Sequence, residues 1–297
     1  LLSEKPSSEL IAAIGTTTAQ HGANVVSIRR LAEEDLRAGE FVLDVTHVTD
    51  VNALKADLFL TSERLGADAG LAREDVYRKS KRVVVFDMDG TLVVGESIDL
   101  LAEIHGVSET VAGITRDAME GRLEFSEALR RRVALLEGLP ERALHDVASR
   151  LEIAPGAPEA LRVLRRLGYR LGVVSGGFSI IVDAIKERLG LDFAMSNQVE
   201  IEAGQLTGRM IEPILDGPGK ARALTAIAEK EGISLQQVVG VGDGANDIPM
   251  LQAAGLGIAF HAKERTREHA HAALQRSDFR GLLYMLGVSA RDVKRLG

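Results

Sequence analysis

Two aspartates separated by one residue, Asp87 and Asp89, follow the apolar run Val83-Val84-Val85-Phe86 and precede Gly90-Thr91. Carboxylates this close can be directed into one small region, where their charges repel unless a cation lies between them, and a hard divalent ion is the natural partner of such oxygens. A second apolar run, Val238-Val239-Gly240-Val241, leads into Gly242-Asp243-Gly244-Ala245-Asn246-Asp247 and supplies two more carboxylates. Between the two acidic turns stand Ser175-Gly176-Gly177, whose glycines let backbone amides approach an anion, and Lys220 at a helix start in Gly217-Pro218-Gly219-Lys220. Singly, each has an ordinary explanation: Asp and Gly form turns, Ser-Gly-Gly is common loop chemistry, and a lysine at a helix start is usually solvated. Their order along one chain is hard to meet by chance and describes equipment for a phosphoryl group.

The elements that must position these residues are strands of a covered sheet. Val83 to Phe86 is apolar without alternation and largely β-branched, which predicts a strand buried on both faces in a parallel sheet with helices on either side. Ligands of such sheets bind beyond the carboxyl ends of the strands, where Asp87 and Asp89 would stand. Arg170-Leu171-Gly172-Val173-Val174-Ser175 predicts another buried strand, followed by a helix from Ser179 to Leu189. Val199-Glu200-Ile201 and Thr207-Gly208-Arg209-Met210-Ile211, parted by Ala203-Gly204-Gln205, predict a hairpin, and Leu256-Gly257-Ile258-Ala259 a further strand. Residues 97–150 read as helical, with loops around His105-Gly106 and Gly138-Leu139-Pro140. That is far longer than a crossover needs, so the tract is expected to be an inserted helical cap able to close over the site and exclude water.

Residues 1–80 read as a separate small α+β module. Leu10-Ile11-Ala12-Ala13-Ile14 opens a helix, Asn24 to Ile28 and Phe41 to Thr46 predict strands, Val51 to Leu65 a second helix with Asp50 as N-cap, and Gly70-Leu71-Ala72 a last short strand. The order helix, strand, strand, helix, strand is a ferredoxin-like unit missing its first strand. Gly22-Ala23-Asn24-Val25 resembles the Gly-x-Asn-Ile turn of ACT domains, small amino-acid-binding regulatory modules; equally, Gly22 merely ends a helix and Asn24 starts a strand. Arg78-Lys79-Ser80-Lys81-Arg82 reads as a solvated linker.

The 297-residue chain is long enough for about two domains. A formal net charge of −7, with 36 Lys and Arg spread along the chain, shows no basic stripe and argues against nucleic-acid binding. No cysteine is present, which removes disulfides, thiolate zinc sites and cysteine nucleophiles and is compatible with a cytoplasmic location. No run approaches the ~18 apolar residues of a membrane span. The start Leu1-Leu2-Ser3-Glu4-Lys5-Pro6 lacks the order of a signal peptide. With no initiator Met, the chain is expected to lack natural residues that precede Leu1.

Asp87-Met88-Asp89-Gly90-Thr91, a strand ending in Ser175, Lys220 and Gly242 to Asp247 together resemble the four motifs of the haloacid-dehalogenase phosphohydrolases, over about Lys81 to the C-terminus. The resemblance implies a Rossmannoid α/β core at 81–297, a helical cap at about 97–150, and an Mg²⁺-dependent mechanism. Asp87 would be the nucleophile, phosphorylated and then hydrolysed, and Asp89 the general acid and base. Lys220 would neutralise developing charge. Ser175, Gly176, Gly177 and Asn246 would bind substrate; Asp87, Asp89 and Asp243 would hold the metal, with Asp247 behind them. Within the cap, Glu96, Met119, Phe125 and Arg132, in Gly95-Glu96-Ser97-Ile98-Asp99 and the stretch from Met119 to Val133, resemble those of the phosphoserine phosphatases. There the matching Glu contacts the substrate ammonium, the Arg binds the carboxylate, and Met and Phe line the closed pocket. A phosphorylated amino acid does need an anion and a guanidinium besides the phosphate site. Alternatively, Glu96 faces solvent, Arg130 to Arg132 form a charged helix face, and Met119 and Phe125 are core. Gly90 departs from the Ser common in that family, a change expected to touch no acid, base or ligand.

The implied reaction is hydrolysis of O-phospho-L-serine, the last step of serine biosynthesis, in a homodimer paired through the ACT-like module, with serine as its effector. A related phosphatase or phosphotransferase acting on another small phosphomonoester, and an amino-acid-sensing regulatory protein, stay open. Gly240-Val241-Gly242-Asp243-Gly244-Ala245 also fits a dinucleotide fingerprint, but an Asp in that loop would repel a pyrophosphate. His269 and His271 do not share a helix face and are weak metal candidates; His105, His145 and His261 are isolated. No Gly-Lys-Ser/Thr P-loop occurs, which disfavours an NTPase.

Overall fold

The computed structural model describes residues 1–4, 8–33, 36–119 and 122–297, the Met119 side chain excepted. The first part consists of β1 (Leu2–Ser3), α1 (Ser8–Gln20), β2 (Asn24–Glu33), β3 (Arg37–Asp44), α2 (Val51–Arg64) and β4 (Ala67–Gly70). Leu10 and Ile14 of α1 meet Leu54 and Leu58 of α2 in a small core that also takes in Ala23 and Ala67. Helix α2 begins where its cap was expected: the Asp50 carboxylate accepts the amides of Asn52 and Ala53. The strand that the sequence reading lacks is present as Leu2–Ser3, paired antiparallel with both β3 and β4. Two residues carry no periodicity, so the strand exists only through its neighbours.

The larger part runs β5 (Val83–Phe86), α3 (Ser97–His105), α4 (Ser108–Met119), α5 (Phe125–Ala134), α6 (Arg142–Arg150), α7 (Ala157–Arg166), β6 (Arg170–Phe178), α8 (Ser179–Leu189), β7 (Phe193–Glu202), β8 (Gln205–Ile211), α9 (Gly217–Glu231), β9 (Val238–Gly242), α10 (Ile248–Ala253), β10 (Leu256–Phe260), α11 (Glu264–His269), β11 (Ala272–Leu274), α12 (Gly281–Met285) and α13 (Ala290–Leu296). Strands pair in the order β11-β10-β9-β5-β6-β7-β8, all parallel except the antiparallel β8. Every residue of β5 is buried, because helices cover both faces of this central strand. In the register, Val85 lies beside Gly172 on one side and Gly240 on the other, so β5, β6 and β9 end together and deliver Asp87, Ser175 and Asp243 to one edge.

The two parts share one sheet. β4 pairs antiparallel with β11, Gly70 opposite Ala272, giving an 11-stranded sheet. The buried Asp68 carboxylate accepts the amides of Gln275, Arg276 and Ser277 and the Ser277 hydroxyl. The stretch expected to be a solvated linker is also bonded in: Arg78 donates to Glu40 and to the Met285 carbonyl, both at 3.2 Å, and Lys81 Nζ donates to the Gln236 carbonyl. Both side chains lay their apolar stems along the protein while their cationic ends satisfy oxygens.

The tract expected to be a cap is helical, α3 to α6, with a further break at 122–124. The β7–β8 hairpin grips this tract: Leu206 N donates to Leu139 O at 2.9 Å and Gly138 N to Leu206 O at 2.8 Å. Among the described residues no helix is long and apolar enough to cross a membrane.

Candidate active site

At the edge where the parallel strands end, Lys220 Nζ lies 2.8 Å from Asp87 Oδ2 and 2.7 Å from Asp247 Oδ1. Lys220 and Asp247 are wholly buried and Asp87 is 6% exposed, so these charges have given up water and depend on one another. Local structure fixes each partner. Asp87 is one residue beyond β5, where its amide still continues the ladder to Val241 O at 2.8 Å. Lys220 sits in the first turn of α9, which the Asp216 carboxylate caps through the Gly219 amide at 2.7 Å. Asp247 ends a 3₁₀ turn, Ala245–Asp247, and its Oδ2 accepts the amides of Asp243 and Gly244.

Asp87, Asp243 and Asp247 each bring an oxygen within 4.8 Å of the others. Three carboxylates facing one ammonium leave two negative charges uncompensated. The consequence shows in the proton affinities. Burial, aided by the Asp247 charge, pushes the Asp87 carboxyl well above the usual range although Lys220 opposes it. The same two causes take Asp243 to about 7. Burial works against the Lys220 charge, but Asp247 and Asp87 hold the ammonium above its ordinary value. Ligand oxygens around an octahedral Mg²⁺ stand roughly 3 to 4 Å apart, so this oxygen set fits a hard divalent cation.

This close group shares Asp87 and Asp243 with the expected metal set and takes in Asp247, which was expected to stand behind them. Asp89 Oδ1 accepts the Ser97 amide at 3.0 Å and Oδ2 the Ser97 hydroxyl at 2.8 Å, so its carboxylate is tied to the start of α3. Burial, against those two hydrogen bonds, raises this carboxyl to about 6. The 3₁₀ turn directs Asp247 inward, where its Oδ1 meets Lys220 and its Oδ2 the amides of Asp243 and Gly244. Gly90 also departs from expectation. It has φ +70°, and a Cβ there would stand 2.5 Å from Asp243 Oδ2, so a side chain at this position would press on an acidic-group member.

Ser175 is buried at the end of β6's regular pairing, and its Oγ accepts the Gly177 amide at 2.9 Å. Above this loop, the Phe125 ring crowds Gly176 so closely that a Cβ there would meet it at 2.9 Å. Asn246 is half-buried in the 3₁₀ turn, its side chain folded back over Gly244. Glu96 remains accessible to solvent from the cleft, yet the surrounding mass, with Asp89 and Asp99, raises its carboxyl to about 7 while Arg132 pulls the other way. Arg132 is half-buried on α5 and feels Glu96, Asp99 and Asp89. Opposite charges on α5 and at the α3 N-terminus thus stand close enough to act on each other and on Asp89. Met119 ends α4, but its side chain lies outside the described residues.

Two functional contacts were not anticipated. Thr91 is fully buried and its hydroxyl donates to Asp243 Oδ1 at 3.0 Å; it stands in the acidic motif, and a hydroxyl directly after Gly90 was the available signal. Ser97 is the anchor of Asp89, and nothing local in the sequence marks it beyond its adjacency to Glu96. His271 has a structural task, its Nδ1 accepting the Gly257 amide at 2.9 Å.

A family model described as haloacid dehalogenase-like hydrolase matches residues 84–252. A phosphoserine phosphatase of Streptomyces coelicolor is 42% identical over 286 residues, covering 96% of this chain and 69% of that protein. A solved structure described as a phospho-aspartyl intermediate analogue of phosphoserine phosphatase is 45% identical, with a TM-score of 0.65, covering 69% of this chain and 98% of the other. A substrate-bound phosphoserine phosphatase complex is 44% identical, with a TM-score of 0.66 and the same coverage, 69% and 98%.

Proposed function

The chain belongs to the haloacid dehalogenase-like hydrolases, on the branch of the phosphoserine phosphatases, and from that membership we propose that it hydrolyses O-phospho-L-serine to L-serine and phosphate through a phospho-aspartate at Asp87. The observation that supports the substrate reading is the pair Glu96 and Arg132, an anion and a guanidinium whose charges act on each other and on Asp89. They match the ammonium and carboxylate of an amino acid whose phosphoryl group rests on that floor.

In the first step an Asp87 carboxylate oxygen attacks phosphorus in line, the phosphorus–oxygen bond to the serine side chain breaks, and Asp89 gives its proton to the departing oxygen. A carboxyl at about 6 holds that proton far more readily than an ordinary aspartate. In the second step Asp89 takes a proton from water, which attacks the phosphoryl group, and Asp87 is released with phosphate. Lys220 stabilises charge spread over the phosphoryl oxygens, as do the Ser175 hydroxyl and the amides of Gly176 and Gly177, with Asn246 at the rim. A divalent cation, proposed as Mg²⁺, would be held by Asp87, Asp89 and Asp243, with Asp247 behind them, and would offset the phosphate and carboxylate charges.

The proposal includes a cytoplasmic location and a boundary near residue 80 between an ACT-like module and the phosphatase part. It also includes a homodimer paired through the module, with serine as effector. The exposed Val26 and Ile28 on the outermost strand β2 support the pairing; Ile28→Lys lowering the mass seen by light scattering is the expected result. The function is tested by phosphate release from O-phospho-L-serine beside O-phosphothreonine, a sugar phosphate and p-nitrophenyl phosphate, with Mg²⁺ and with EDTA. A metal-dependent preference for phosphoserine is expected; equal rates across the panel would move the substrate elsewhere.

A further inference from the structure

We infer that Asn197 is a positioning residue for phosphoryl transfer, holding the Ser175–Gly177 loop at a set distance from the segment that delivers Lys220; this rests on the phosphatase reading above. The β6–β7 ladder runs to Ser175 opposite Ser196 and resumes at Phe178 opposite Asn197, passing over Gly176 and Gly177. Such an irregularity releases peptide groups from the ladder, and those that do not bind a ligand need other partners. Gly177 N finds Ser175 Oγ. The Gly176 carbonyl is taken by Asn197, whose Nδ2 donates to it at 2.9 Å.

The other end of the same carboxamide fixes a second element. Asn197 Oδ1 accepts the Leu215 amide at 2.6 Å. Leu215 immediately precedes Asp216, whose carboxylate caps α9 and whose carbonyl accepts the Lys220 amide at 2.8 Å. One rigid, planar group 2% exposed therefore joins the two halves of the phosphate-handling floor, the β6 turn and the α9 start. Only a group that donates on one side and accepts on the other satisfies both partners, since a carbonyl cannot donate and an amide N–H cannot accept. Nδ2 also donates to the Leu215 carbonyl at 3.5 Å; a carboxylate would keep the Leu215 amide contact but set an acceptor against the Gly176 and Leu215 carbonyls, and an alanine would satisfy none of them. Among the described residues Asn197 makes no hydrogen bond to Asp87, Asp89 or Lys220 Nζ, so its effect passes through the loops it joins.

The test uses Asn197→Asp and Asn197→Ala in the full chain, with inorganic phosphate and L-serine as competitive inhibitors of phosphoserine hydrolysis. The expected result is an inhibition constant for phosphate raised about tenfold, the loss of one good hydrogen bond to the loop. The kcat should fall ten- to a hundredfold, roughly the scale of a misplaced oxyanion donor. Inhibition by L-serine should stay within about twofold, because Glu96 and Arg132 hold serine from the cap. Unchanged phosphate inhibition in both variants would overturn the inference, whatever their melting temperatures. So would parallel loss of phosphate and serine binding, or failure of both variants to fold, since either marks a general core role. A parent chain that releases no phosphate from phosphoserine brings down the functional reading and this inference together; an active parent with unaltered variants brings down this inference alone.

Discussion

Asp87, Lys220 and Asp247 form a chain of short ion pairs in the floor of the cleft, out of water and backed by capped turns and ladder bonds. Glu96 and Arg132 on the cap side touch water, and among the described residues no ion pair joins them. The floor is preorganised for charge that develops during reaction. The cap is left with unmatched charges that a zwitterionic ligand would pair. On the proposed reading, rate and selectivity are lodged in separate parts: substitutions in the floor should act on every phosphomonoester alike, and substitutions in the cap on amino-acid phosphates selectively.

The largest expected effect breaks the floor. Asp87→Asn keeps shape and volume but cannot form the phospho-enzyme, so turnover of phosphoserine and p-nitrophenyl phosphate should both fall by on the order of 10⁶, as when other nucleophiles are removed. The Asp87 carboxyl resists ionisation because of burial and Asp247. The neutral amide should therefore leave the metal-free melting temperature unchanged or raise it. Residual activity within a hundredfold of the parent on both substrates would move the nucleophile elsewhere.

A smaller effect sharpens the cap side. Glu96 is charged above about 7 and neutral below, and an ammonium needs the charged form. The KM for phosphoserine should therefore rise about tenfold from pH 7.5 to 6, beyond any rise for p-nitrophenyl phosphate, which shares the phosphate titration but has no ammonium. Glu96→Gln should flatten the excess. A pH profile identical for both substrates would leave Glu96 without a part in binding.

The smallest effect concerns stability without metal. Asp243 at about 7 holds its proton in the fold at pH values where the unfolded chain has lost it. Between about 4 and 7 the native state therefore binds more protons, and stability falls as pH rises through that window. Metal-free protein should melt a few degrees lower at pH 8 than at pH 6, and Mg²⁺ should remove most of the gap by binding the native carboxylates. A metal-free melting temperature that rises over that interval would contradict the charge balance assigned to the floor.

The legible parts of the molecule were the local ones. Val83 to Phe86 announces a doubly covered strand by composition alone, and a strand's carboxyl end tells where Asp87 stands. Asp50 announced the start of α2 because a cap acts over three residues. What the chain did not reveal depends on distant partners. β1 is two residues completed by β3 and β4, and the joining of both parts in one sheet rests on β4 meeting β11, some 200 residues away in sequence. Within the site, the motif placed four aspartates near one another but not which of them converge. That is decided by contacts such as Ser97 holding the Asp89 carboxylate and the turn that brings Asp247 in. The contact between position 90 and Asp243 likewise needs the fold to exist before it can be seen.

The division between floor and cap is tested most directly by Arg132→Ala, measured as kcat/KM for O-phospho-L-serine and for p-nitrophenyl phosphate in the same preparation with Mg²⁺. Loss of a charge-assisted contact to the substrate carboxylate should lower the phosphoserine value by about a hundredfold and leave the p-nitrophenyl phosphate value within about threefold. Equal values for phosphoserine before and after the substitution, or equal losses on both substrates, would contradict the assignment of selectivity to the cap.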